Sequence, residues 1–402
     1  MSKGLGVDGS KLISSVKDGA LKFNAAGFKM PTSESLKTSL GDFGKKDGIS
    51  QVMIIILGFL FFVIFIWCYN KINLNATNCS NLSTIYTKFP LISSITVENN
   101  TFSYKLRDYY IKTAYNCCSA GNFKNDFVNI CALKNCIKQG ARCLDFEIYS
   151  LNNEAVIAVS SKTDFNIKGS YNSIKFVDAM TVVAGYAFSG NTCPNPNDPL
   201  ILHFRILTNS SLIHDKIAME LYDTLQDKLL GKEFSYENRG RNIGAYPLTR
   251  LMGQVIIMVD KSNPLFSSTK LNEYVNIASN SVFVRSLRYS QVKYSPDINE
   301  LTDYNKQNMT ITLPDYSTEN KNKAVDLAMS YGCQMVGMSF QNFDTNMEYY
   351  TKKFDDAGSA FILKPNRYRH IPIFIAEPPL QDPNNSYATR RFPLLTGEEL
   401  GY

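Results

Sequence analysis

Gly140-Ala141-Arg142-Cys143-Leu144-Asp145-Phe146-Glu147-Ile148-Tyr149-Ser150 is the stretch on which the reading of the fold turns. Successive side chains of a strand point to opposite faces. Leu144, Phe146 and Ile148 therefore share one face, and Asp145 and Glu147 share the other. Two carboxylates beside apolar neighbours are costly unless a cation, a base or water meets them. The pattern suits a metal or acid/base site at the mouth of a barrel. A solvated strand edge would produce the same letters.

Further short apolar runs read as strands: around Ile111–Ala114, Cys143–Tyr149, Ala155–Ser160, Leu200–Ile206, Gln254–Asp260, Val282–Leu287, Gln334–Phe340 and Phe361–Lys364. Helical patterns over Asp126–Lys138, Ser173–Phe188 and His214–Leu230 lie between them. Apolar strands alternating with helices imply a parallel sheet covered on both faces. A short turn at Asn152-Asn153 joins the second and third runs. Residues 103–372 have a normal length for a (β/α)8 barrel, and the expected class is α/β.

Gly48 to Asn70 contains no charged residue. About 20 apolar residues in a helix span the hydrocarbon core of a bilayer, and Trp67 and Tyr69 sit where interfacial aromatics belong. Residues 48–70 are therefore expected to be a transmembrane helix in contact with a lipid bilayer. Lys37, Lys45 and Lys46 precede the run and Lys71 follows it. That bias places the N-terminus on the cytoplasmic side and the C-terminal domain across the membrane. Sequons at Asn75, Asn78, Asn81, Asn99, Asn209, Asn308 and Asn384 are compatible with this. Eight of the nine cysteines follow the apolar run, without zinc spacing. They allow disulfides in an oxidising compartment, or buried thiols, with the connectivity open. The net charge of +6 is too weakly basic to point to nucleic acid.

Residues 1–47 form a Lys/Gly/Ser-rich arm, in which Leu12, Ile13, Val16, Ala20 and Leu21 follow helical spacing. Residues 71–102 read as a stalk, 103–372 as the barrel and 373–402 as an extended tail. The arm and the barrel surface are the candidate contacts to other membrane or virion proteins.

Three segments resemble phosphoinositide-specific phospholipase C. Gly140–Asp145 and Glu147 are similar to the Gly-x-Arg-Cys-x-Glu-x-Asp strand of the family's X half, with the acids in swapped order. Gly332-Cys333-Gln334-Met335-Val336-Gly337-Met338-Ser339-Phe340-Gln341 resembles the Gly-Cys-Gln-Met-Val-Ala-Leu-Asn-Phe-Gln strand of the Y half. Phe361-Ile362-Leu363-Lys364-Pro365 resembles the closing strand. Lys270–Val275 matches the start of the Y half more weakly. The resemblance implies a split TIM barrel of phospholipase C type. It also implies a reaction that uses two histidines and a calcium ion.

The matching positions depart from that chemistry. The first histidine of the family falls on Tyr115, with Asn116 keeping the metal-binding amide. The second falls on Val159 or Ser160. A calcium-binding Glu falls on Arg205, two residues beyond His203. A phenol with an ordinary pKa of about 10 is a poor proton acceptor, and a guanidinium repels calcium while pairing with carboxylates. Asn116, Asp145, Glu147 and Arg205 are then a remnant of a ligand site. Tyr115, Ser160 and His203 are degenerate positions, and no metal or cofactor is expected. The leading expectation is an inactive, membrane-anchored structural or interaction module. One alternative is a calcium-dependent phosphodiesterase with Tyr115 or His203 as base and Asn116, Asp145 and Glu147 as metal ligands. Another is a lipid or glycan receptor using Arg205. The Asn-, Lys-, Ile- and Tyr-rich composition fits an AT-rich genome, and such an anchored copy resembles virion proteins of large DNA viruses.

Overall fold

The computed structural model describes residues 48–401 except 163, 165–167, 236–241, 373–376, 379–384 and 386–390. The helix expected within residues 1–47, and the sequon at Asn384, lie outside the described residues. The chain divides into two units, Met1–Ile72 and Asn73–Tyr402.

An α-helix of 38 residues runs from Gly48 to Ile85. Its apolar side chains from Val52 to Trp67 are open to the surroundings, Phe61 at 70% and Phe65 at 68% exposure. Burying one such side chain stabilises by roughly 1.5–3 kcal/mol, so a helix that leaves all of them open is consistent with a single-pass membrane anchor. Among the described residues it is the one helix long and apolar enough to cross a membrane.

The second unit is built on β1 (Tyr109–Ala114), β2 (Cys143–Leu151), β3 (Glu154–Ala158), β4 (Ile174–Lys175), β5 (Leu200–Ile206), β6 (Val255–Asp260), β7 (Ile277–Ser279), β8 (Val284–Arg288), β9 (Met309–Leu313), β10 (Met335–Met338) and β11 (Phe361–Leu363). Eight strands pair in the order β7-β6-β5-β2-β1-β10-β9-β8. Every ladder on that path is parallel. Among the described residues β7 and β8, joined by a four-residue link, share no ladder, so the ring is nearly closed. This is a TIM-type barrel.

Two expected barrel strands lie off the ring. The 155–160 run forms β3, which folds back antiparallel on β2. Asn152 and Asn153 make that turn at φ 51° and 61°, the doubly left-handed geometry of a tight hairpin. The 361–364 run forms β11, antiparallel to β1. Their places in the ring go to β7 and β9. Alternation along each strand holds: Phe146 of β2 and Phe204 of β5 face outward, and Phe176 of the helix Phe176–Tyr186 meets Phe204 edge-on at 5.4 Å.

The expected stalk is not free. The helix continues through residues 73–85, and Leu82, Tyr86, Ile92 and Ile95 are buried in the barrel unit's core. Cys79 is disulfide-bonded to Cys131, and the Asn78 amide donates to Asp126 at 2.8 Å. Lys138 Nζ donates to the Tyr86 carbonyl, and the Ile95 amide donates to Asp198. The other described cysteines are unpaired; of these, all but Cys68 are buried. In the tail, Arg391–Pro393 and Glu399–Gly401 pair as a separate antiparallel hairpin.

Candidate functional site

The parallel register of β2 with β5 sets Asp145 beside His203 and Glu147 beside Arg205. All four side chains point into the barrel and are buried. Arg205 Nε and Nη2 donate to the two oxygens of Asp145 at 2.9 and 2.6 Å. Nη1 donates to Glu147 Oε1 at 2.6 Å, and Nη2 also reaches Asn116 Oδ1 at 2.8 Å. One guanidinium thus spans both acids and the amide.

The remaining lone pairs of the acids are also taken. Asp145 Oδ1 is met by His203 Nδ1 at 2.8 Å, and Oδ2 by the Asn116 backbone amide at 3.1 Å. Glu147 Oε1 lies 3.4 Å from Asn116 Nδ2. Oε2 accepts from the Tyr149 hydroxyl at 3.0 Å and from the Ser160 amide at 2.8 Å. Each carboxylate oxygen therefore has two donors. Burial alone would push the Asp145 carboxyl up, but the Arg205 guanidinium and hydrogen bonds from His203 and Arg205 hold it well below the usual range. Burial likewise opposes the charge on Arg205, and Asp145 and Glu147 outweigh it, holding the guanidinium protonated.

Asn116, two residues beyond the end of β1, has φ 45°, a left-handed conformation that Asn tolerates better than most residues. That bend aims its amide at both acids. Tyr115 lies with its ring centre 4.9 Å from the Arg205 guanidinium carbon. The close approach of β10 makes room for it: a Cβ on Gly337 would stand 3.2 Å from the Tyr115 Cβ. Burial pushes the Tyr115 phenol up, away from the value a base needs at neutral pH. Val159 is buried, and Ser160 serves Glu147 through its backbone. His203 Nε2 is 2.9 Å from Ser279 Oγ, so both ring nitrogens are engaged. His214 is buried in the helix Ser211–Leu225, and His370 is exposed beyond β11.

Sequence reading missed Tyr149 and Ser279. Tyr149 follows Glu147 by two residues and shares its face, so the alternation already contained it. Ser279 ends a three-residue strand that carries no readable pattern of its own. Above the cluster lies a cavity of about 100 Å³ bordered by Arg205, Asp260, Ser262, Asn263 and Tyr316. Arg288 stacks on the Tyr316 ring at 3.7 Å.

Calcium takes six to eight oxygens at roughly 2.3–2.6 Å. Asn116, Asp145 and Glu147 would have to supply the protein's share, and their oxygens already face the Arg205 nitrogens. The residues present do not fit the ion.

The fold is a TIM-type barrel, and its second half is similar to a phospholipase C domain. Residues 261–367 match the family model of the phosphatidylinositol-specific phospholipase C Y domain. Solved structures similar to the chain include PLC21 of L. pealei, at 18% identity and a TM-score of 0.55, covering 67% of this chain and 38% of that one. PLC21 of S. officinalis is similar at 19% identity and a TM-score of 0.55, covering 70% and 39%. The chain thus spans about two-fifths of the length of those proteins, and at such identity the likeness concerns the fold. Comparison with curated protein sequences found no match.

Proposed function

We propose that this chain is a membrane-anchored phospholipase-C-like barrel that does not cleave phosphodiesters and serves as a structural or interaction module, in keeping with its resemblance to anchored virion proteins of large DNA viruses. The observation that carries this reading is the contact of Arg205 with Asp145, Glu147 and Asn116. The guanidinium occupies the space between the donors that a divalent ion would need. The residues at the family's histidine positions, Tyr115 and Val159 or Ser160, offer no group that exchanges protons near neutral pH. The cavity above the cluster, about 100 Å³, is small against the roughly 300–1,000 Å³ of ligand pockets, which argues against a lipid headgroup or glycan seated there.

Residues 48–70 of the helix Gly48–Ile85 are the anchor, with the N-terminal arm on the cytoplasmic side and the barrel across the membrane. The Cys79–Cys131 disulfide supports that orientation, because disulfides persist in oxidising compartments. The full-length protein, mixed with phosphatidylinositol vesicles and calcium, is expected to release no inositol phosphate. Calcium is expected to leave its melting temperature unchanged. Hydrolysis that Asp145→Asn abolishes would overturn the reading in favour of a calcium-dependent enzyme. Vesicle or glycan binding lost in Arg205→Ala would overturn it in favour of a receptor.

A further inference from the structure

The described sequons differ sharply in what the folded chain leaves open. Asn75 accepts from Asn129 at 3.0 Å, and Asn78 donates to Asp126 at 2.8 Å, both in the docked end of the long helix. Asn308 accepts from Asn242, and its partner Thr310 is fully buried with its hydroxyl given to Asn305. Asn81 is exposed but held in helical backbone. Asn209 is exposed in the loop after β5.

Asn99 is different. Asn99, Asn100 and Thr101 are all exposed, in the link that leads from the docked segment to the barrel, where Asn99 is in extended backbone and caps the single-turn 3-10 helix Asn100–Phe102. The Thr101 amide and hydroxyl both donate to Asn99 Oδ1, at 3.0 and 2.7 Å. Two donors on the amide oxygen draw electron density from Nδ2 and make its protons easier to lose. Among the described residues, Asn99 Nδ2 donates to no protein atom. The turn is pinned to the barrel, since the Tyr109 hydroxyl donates to the Thr101 carbonyl at 2.8 Å.

We propose that Asn99 is an N-glycosylation site, a modification that rests on the orientation argued above. The co-reactant is a polyprenyl-diphosphate-linked oligosaccharide of a secretory membrane. Asn99 Nδ2 attacks the anomeric carbon and gives one proton to the transferase's base. A C–N bond forms, the C–O bond to the diphosphate breaks, and polyprenyl diphosphate leaves with the electron pair. Thr101 is a positioning residue: its hydroxyl polarises the acceptor amide.

The test is full-length protein made in mammalian cells, with membranes digested by a peptide N-glycosidase in heavy-oxygen water and the peptides mapped by mass. The peptide holding Asn99 is expected to gain the aspartate and heavy-oxygen label. Thr101→Ala is expected to lose the label, Thr101→Ser to retain it, and Asn100→Gln, which leaves the sequon intact, to retain it too. In parallel, sealed microsomes are treated with external protease. A barrel unit that is protected but carries no label on Asn99 overturns this proposal and leaves the orientation standing. A barrel unit that is digested, with Asn99 unlabelled, overturns the orientation and this proposal with it.

Discussion

The two ends of the barrel each bury a cation, and they do so by different means. At the C-terminal ends of the strands Arg205 sits between two carboxylates and an amide, every contact charge-assisted. At the N-terminal ends Lys364 hydrogen-bonds to backbone alone, its ammonium donating to the carbonyls of Asn305 at 2.8 Å and Gly332 at 3.3 Å, with Asp108 offering a weaker attraction that burial outweighs. Burial pushes Lys364 down to about 7, whereas Arg205 is held well above its ordinary value. The contrast shows what fixes a charge inside a fold. Dipoles reduce its desolvation cost, while opposed charges reverse it. The acids at the mouth therefore make Arg205 indispensable, and nothing comparable binds Lys364 in place.

The largest expected effect breaks the first half of that comparison. Arg205→Met leaves Asp145 and Glu147 buried without a counter-charge, and removal of one partner from a buried pair costs about 3–5 kcal/mol. Urea unfolding of the detergent-solubilised protein at neutral pH would read it. The triple change Asp145→Asn, Glu147→Gln, Arg205→Met is expected to recover most of that loss, because no charge is then stranded. A triple variant as unstable as the single one would mean that packing, not charge, governs the mouth.

The same variant should invert the response to acid. In the native protein the Asp145 carboxyl is held below its ordinary 3.8. The stability it contributes is present above that value and is lost as pH falls toward the folded pKa, because the unfolded state binds the proton first. In Arg205→Met the largest opposing influence is gone, burial is met only by the His203 and Asn116 contacts, and the folded pKa is expected to rise above the unfolded one. The variant should then gain stability relative to the native protein as pH is lowered from 7 to 5. Parallel pH profiles for the two proteins would refute this.

The docked helix end offers a second contrast with the ion cluster, since its integrity depends on a covalent link. Cys79–Cys131 spans 52 residues, and the chain-entropy account assigns such a closure about 4 kcal/mol. Cys79→Ser with Cys131→Ser is expected to lose part of this, with the Asn78–Asp126 and Lys138–Tyr86 bonds retaining the dock. Limited proteolysis between residues 85 and 100 would show it as faster cleavage, with the barrel core still resistant. Tyr149→Phe comes next, at roughly 1.5 kcal/mol for a hydrogen bond to a charged group. It removes one of two donors from Glu147 Oε2. Thermal melts would detect the loss.

The site could be read from sequence further than the barrel could. Strand alternation put Asp145 and Glu147 on one face, and motif spacing put Arg205 opposite them. The register then brought all three together with Asn116. The ring itself was harder. Residues 155–158 and 361–363 carry the same apolar letters as barrel strands, and nothing local tells a parallel neighbour from an antiparallel one. β7 is three residues long, and β9 follows the helix Ile298–Gln307 after a single intervening residue, so neither offered punctuation. Residues 71–102 read as a stalk because of their Asn and Ser clusters, and Leu82, Tyr86, Ile92 and Ile95 have no single period that would announce a buried face. Its burial follows from contacts with distant residues, among them the Tyr86 hydroxyl on the Phe340 carbonyl.

The smallest expected effect sharpens the other half of the comparison. Lys364 is depressed from 10.5 to about 7 by burial. Between those values the unfolded chain holds the proton and the folded one does not, so this residue makes stability rise with pH from 7 to 10.5. Lys112, buried on β1 and pushed down to about 8, acts with the same sign over a narrower range. Lys364→Met retains the apolar stem and removes the titrating head. It should be stabilising by about 1 kcal/mol at pH 6, where the native ammonium must be buried charged, since apolar replacement of a buried ion is often neutral or favourable. The gain should fade as pH approaches 10, leaving the Lys112 contribution as the residual alkaline slope. A substitution that destabilises equally at pH 6 and pH 10 would mean that the two carbonyl contacts hold Lys364 as firmly as the carboxylates hold Arg205.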